Sequence, residues 1–151
     1  MSRLKYLGKG LALAPTTLLR MIQKIDPSVY DQKLAPDRFS LREVIAHLAD
    51  LEPVIQGRME LALSAPGTEI ANWDEEAEAL AKNYAVWDVQ PSLEQFSRAR
   101  TKTAEFYESL TDEQTLATVK HPVLGELSVF DLAVFALGHD AYHFEQISQY
   151  M

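Results

Sequence analysis

Four long stretches of this chain repeat apolar residues at helical spacing, and the last three sit behind a helix start signal. Leu18, Leu19, Ile22 and Ile25 carry the first, expected over residues 13–25 with Pro15 tolerated in its opening turn. Val44, His47, Leu51, Val54 and Ile55 carry the second. It opens at Ser40 and Glu43, a capping box in which the serine oxygen takes one free amide and the glutamate reaches back to another. Phe96, Ala99, Thr103, Phe106 and Leu110 carry the third, behind Pro91, Ser92 and Gln95; Leu132, Phe135, Ala136 and Ile147 carry the fourth, behind Ser128 and Asp131. Alternation over residues 117–121 is too short to predict a sheet. An all-α four-helix bundle is what this pattern allows.

The connections add detail. Asn72 with Glu75 predicts a short acidic helix between the second and third long ones, running to about Lys82, and residues 112–116 predict another short turn of helix. Trp73, Tyr84 and Trp87 read as packing of this lid against the bundle. Pro53 cannot supply the amide that would bond the Ala49 carbonyl, so a kink is expected over residues 49–53 with a freed carbonyl close to His47.

A chain of 151 residues fits one domain spanning 1–151, able to bury roughly 70% of the surface of its unfolded state. Cysteine is absent, which excludes a disulfide framework, a thiolate metal site and a cysteine nucleophile. Twenty-two acidic against 14 basic residues, net −8 and without a basic run, disfavours nucleic acid as a partner. The first fifteen residues are too short in their apolar part and too interrupted by glycine for a signal peptide or a membrane span, so a cytoplasmic protein with no membrane partner is expected. No glycine-rich phosphate loop is present in the sequence.

Histidine placement carries the functional reading. His139 and His143 stand four apart, so both rings project from one face of the fourth helix, within a stripe that includes Leu132, Phe135, Ala136, Gln146 and Ile147. His47 falls inside the apolar stripe of the second helix. Neutral imidazoles in such a seam need partners for both ring nitrogens; backbone or water could serve, and so could a bound cation. Glu43, Asp50 and Arg58 flank the His47 side and are candidates for a catalytic or supporting role. Capping explains Glu43 as well, solvation explains Asp50, and a stem lying on apolar surface explains Arg58. His121 lies outside the helices and reads as a solvated loop residue.

The segments REVIAHLADLE around His47, H-P-x-x-G-x-x-S-x-x-D from His121 to Asp131, and HDAYHFEQI from His139 to Ile147 together resemble the DinB/YfiT-like superfamily of metal-dependent helical-bundle enzymes. The resemblance spans nearly the whole chain. It implies an up-down-down-up four-helix bundle, a homodimer, and a divalent metal held by His47, His139 and His143. Where many members have a second histidine and a glycine near the last ligand, this chain has Tyr142 and Glu145, while Gln146 is kept.

Three histidines leave a coordination position open, as catalytic sites do. Nitrogen ligands suit nickel, zinc or iron. Resemblance favours an S-transferase, in which the ion lowers the pKa of a low-molecular-weight thiol and presents it to a small-molecule electrophile. The alternatives are a hydrolase using metal-activated water, with Asp50 or Glu43 as base, and a non-enzymatic stress-response bundle acting as an interaction scaffold. Free imidazole titrates near ~6.5, so loss of metal is expected below about pH 6.

Overall fold

A computed structural model describes residues 3–151. Five α-helices follow in order: α1 (Arg3–Ile22), α2 (Leu41–Ser64), α3 (Glu75–Lys82), α4 (Val89–Glu108) and α5 (Val129–Ser148). A two-stranded antiparallel hairpin, β1 (Thr118–His121) and β2 (Gly125–Ser128), precedes α5. Ser40 with Glu43 opening α2 and Ser128 with Asp131 opening α5 form the expected capping boxes. The start expected at Pro91, Ser92 and Gln95 does not hold: α4 opens at Asp88, so Pro91 and Ser92 lie in its first turn, where the Ser92 hydroxyl donates to Asp88 O.

The four long helices α1, α2, α4 and α5 form the bundle. α4 and α5 each pack against both α1 and α2. Direction follows from side-chain pairings. Gln95 reaches Ala49 and Arg100 reaches Glu52, so α2 and α4 run the same way. Leu4 and Leu11 share a core cluster with Ala104 and Tyr107 from the end of α4 and Val129, Leu132 and Ala133 from the start of α5. Ala14, Leu18 and Ile22 share the other with Leu93 and Phe96 from the start of α4 and Ile147 from the end of α5. Thus α1 is antiparallel to α4 and parallel to α5, the up-down-down-up order.

Several further expectations about local structure need correction. α1 begins about ten residues earlier than the apolar spacing indicated, and Pro15 lies in its interior. Two glycines in its first half are places of close approach. A Cβ on Gly8 would lie 2.6 Å from Glu108 Cγ, and one on Gly10 would lie 3.0 Å from Leu137 Cδ2. Second, residues 118–128 form a hairpin. Four-residue strands are too short to show alternation, but β1 gains further pairing from the segment after α2, through Gly67 N–H to Thr118 O, Lys120 N–H to Thr68 O and Ile70 N–H to Lys120 O. Gly125 turns the hairpin at φ +78°, where a side chain would be strained. Third, α3 is capped by Asp74, whose carboxylate accepts from the Glu76 and Ala77 amides, and the helical turn expected over 112–116 is a 3-10 turn at Gln114–Leu116.

α2 passes through Pro53 as one continuous helix, with the proline exposed. The carbonyl it frees, that of Ala49, accepts the Gln95 side-chain amide of α4 at 3.4 Å. A broken helical bond is therefore replaced by one between helices. No helix among the described residues is long and apolar enough to cross a membrane.

Candidate metal centre

α2 and α5 face each other across the bundle with their histidines at one level. His47 Nε2 lies 3.0 Å from His139 Nε2, and His143 Nε2 lies 3.1 Å from the same atom. His47 and His143 are buried and His139 is half-buried. Each Nε2 can offer one lone pair or one proton, so three converging nitrogens cannot all be satisfied by one another. Burial, reinforced by the neighbouring histidines, pushes His47 down to about 3; burial, His143 and the Arg100 charge push His139 down to about 3. His143 is lowered as well, by burial, against the opposing pull of Gln146. The rings are therefore neutral at physiological pH, the state in which imidazole binds metal.

One tautomer is fixed by a neighbour. His143 Nδ1 lies 3.2 Å from Gln146 Oε1, one turn on along α5; it donates there and leaves Nε2 bare toward the cluster. His47 Nδ1 is buried without a hydrogen-bond partner. Nitrogens bonded to one ion at about 2.1 Å stand roughly 3 Å apart when the angle between them is near a right angle. The observed spacing fits that demand, and the donor chemistry suits a divalent ion.

A fourth group joins them. Glu75, the first residue of α3, places Oε2 3.4 Å from His47 Nε2, and one donor atom from each of His47, Glu75, His139 and His143 lies within 4.8 Å of all the others. Partial burial, with Glu76 and Asp74 beside it, holds the Glu75 carboxyl above the usual range. α3 is stapled over α2 at its far end. Lys82 pairs with Asp50 at 2.7 Å, Tyr84 donates its hydroxyl to the same carboxylate, and Trp87 donates to Lys82 O. Asp50 thus fastens the lid that carries Glu75. Glu43 is held in its capping box and 3.7 Å from Lys33. Neither Asp50 nor Glu43 joins the histidine cluster.

Arg58 lines a cleft of about 400 Å³ beside the cluster, with His47, His139, Glu75, Trp73, His121 and Phe135 among its walls. A second cleft, of about 240 Å³, reaches the cluster from the other side, bounded by Arg38, Tyr142, His143 and Gln146; Glu75 borders both. Below the histidines lies a buried ion triad. Arg100 Nε and Nη2 bond Glu52 at 2.7 and 2.9 Å, and Nη1 and Nη2 bond Asp140 at 2.6 and 2.9 Å. Burial pulls the Arg100 pKa down, but Asp140 and Glu52 outweigh it, so the guanidinium stays charged.

Sequence reasoning missed Glu75 as a site residue, using it only with Asn72 to start the short acidic helix, and did not single out Arg100. It also read His121 as solvated, whereas that residue is only 8% exposed at the end of β1. The His-Pro-x-x-Gly spacing, which closes the hairpin, was the available signal.

No curated protein matches the chain in sequence. Among solved structures it is similar to YfiT from Bacillus subtilis, described as a probable metal-dependent hydrolase with an unusual four-helix bundle topology, at a TM-score of 0.85 and 22% identity. The match covers 99% of this chain and 89% of YfiT. At that identity the likeness establishes the shared bundle topology. The family model of the DinB superfamily matches residues 11–147. The chain belongs to the DinB superfamily.

Proposed function

We propose that this protein is a metal-dependent hydrolase, with His47, His139 and His143 holding a divalent ion and Glu75 acting as the general base. The observation that carries this reading is one carboxylate, Glu75, set against three converging neutral imidazoles where two clefts meet. When bound, zinc, nickel or iron supplies a Lewis acid that polarises the substrate and brings a water's pKa toward ~7. Glu75 accepts the proton of the attacking water and returns it to the leaving group, a role its raised pKa suits. Gln146 keeps His143 in the tautomer that binds, and the Asp50, Lys82 and Tyr84 contacts hold α3 so that Glu75 stays over the histidines. The likeness to YfiT supports the reaction class.

Thiol transfer to an electrophile is the second reading, supported by the two clefts, which offer separate approaches for two substrates. The experiment is to assay metal-loaded wild type and Glu75→Gln on aryl esters without thiol, and on chlorodinitrobenzene with and without a low-molecular-weight thiol. Hydrolysis predicts ester turnover without thiol, reduced about 10²- to 10⁴-fold in Glu75→Gln while metal content is kept. Electrophile consumption only when thiol is added would replace hydrolysis by transfer. Loss of metal from Glu75→Gln would make Glu75 a ligand and overturn its role as base.

A further inference from the structure

The larger cleft carries donors that the chemistry above does not use. Arg58, half-buried on its wall, spends one N–H on Ala71 O at 2.8 Å, and no carboxylate pairs with it among the described residues. A guanidinium has five N–H donors and no acceptor, so the remainder face a partly desolvated space without an acceptor from the protein. Burial accordingly holds the Arg58 pKa below its usual value.

His121 is built as a donor too. Its Nδ1 accepts from the backbone amides of Val123 and Leu124, both at 3.1 Å, as the hairpin turns. With both amides aimed at Nδ1, the proton of the neutral ring sits on Nε2. Burial and the Arg58 charge lower the His121 pKa, which keeps the ring neutral and the Nδ1 lone pair available to the amides. Trp73 adds an indole N–H that is buried with no partner. Both Arg58 and His121 are held by one piece of structure, because the strand-like segment that ends near Ala71 pairs with β1.

The remaining wall is apolar. Val123 is 76% exposed, Leu124 58% and Phe135 45%, and all three border the cleft, with Leu51 at its base. The one carboxylate on the wall, Glu75, lies at the histidine end, 3.4 Å from His47. Unneutralised donors together with an apolar rim call for a ligand bearing an anionic group and an apolar body.

We propose that this cleft binds a small carboxylate with an aromatic or aliphatic body, the Arg58 guanidinium and His121 Nε2–H taking its oxygens while Leu124 and Phe135 cover its apolar part. The inference takes the cleft as the substrate side of the proposed hydrolase, and it names the substrate class as apolar acids carrying the scissile bond elsewhere in the molecule.

The test is calorimetric titration with 4-phenylbutyrate and its neutral amide, on metal-loaded and chelator-stripped wild type and on Arg58→Gln. The carboxylate is expected to bind wild type at least about tenfold more tightly than the amide, with metal or without it. Arg58→Gln is expected to erase that preference and leave amide binding unchanged, which also reports that the variant is folded. Equal binding of the two ligands, or a preference that survives Arg58→Gln, would overturn the inference. A preference that vanishes on chelation would also overturn it, assigning the carboxylate to the metal and leaving the hydrolase reading intact. A preference that persists in protein unable to take up any metal would support the anion site and count against that reading.

Discussion

Gln146 is a single side chain with a disproportionate role. It takes the Nδ1 proton of His143 at 3.2 Å inside the core, which decides which nitrogen of that ring faces the cluster. Replacing it by leucine leaves a buried N–H unpaired and frees the ring to change tautomer. Gln146→Leu is expected to weaken metal binding about 10- to 100-fold in competition with a chelator, with the helical circular dichroism unchanged. Unchanged affinity would show that the ring is oriented by packing alone. At this scale the sequence was legible where periodicity applies. His47, His143 and Gln146 are buried and His139 is half-buried, on helix faces that 3.6-residue counting turns toward the core. Glu75 and His121 were not legible, because a residue on an eight-residue helix or a four-residue strand gets its surroundings from distant chain.

Between elements, the arrangement of histidines depends on how α2 and α5 are held. Arg100 of α4 bridges Glu52, five residues beyond His47, to Asp140, directly after His139, so its guanidinium ties together the two helices that supply the rings. Breaking a buried ion network by removing one partner leaves the others as uncompensated charges, a cost of about 3–5 kcal/mol. Arg100→Met is therefore expected to lower the melting temperature by roughly ten degrees, and replacing Glu52 and Asp140 by leucine alongside it to restore most of the loss. A melting temperature within about a degree of wild type in Arg100→Met would contradict this account. Helix count, order and the caps of α2 and α5 could be read from the sequence because each depends on neighbouring residues, whereas α3 and α4 open at Asp74 and Asp88 rather than at Asn72 and Ser92. Such pairings could not, since a charge at core spacing reads as a surface group until its partners on other helices are known. The same limit applies to the early start of α1, where Gly8 and Gly10 make room for Glu108 and Leu137.

For the molecule as a whole, burial of the histidines alters the expected pH behaviour. Imidazole in the unfolded chain titrates at 6.5, whereas His47 and His139 are pushed down to about 3 in the fold. Between those values the unfolded state binds more protons than the folded state, so stability rises with pH and is lost as pH falls below 6.5. Protons do not reach the folded rings in that window. Metal release near pH 6, expected from free imidazole, therefore shifts to the more acid pH at which the fold itself gives way. The most direct measurement is metal content by mass spectrometry of untagged protein, for wild type at pH 7.5 and 5.5 and for His47→Ala and His143→Ala at pH 7.5. The account predicts about one divalent ion per chain in wild type at both pH values and none in either variant. Wild type that takes up no ion after incubation with zinc, nickel or iron, or variants that retain as much as wild type, would contradict it.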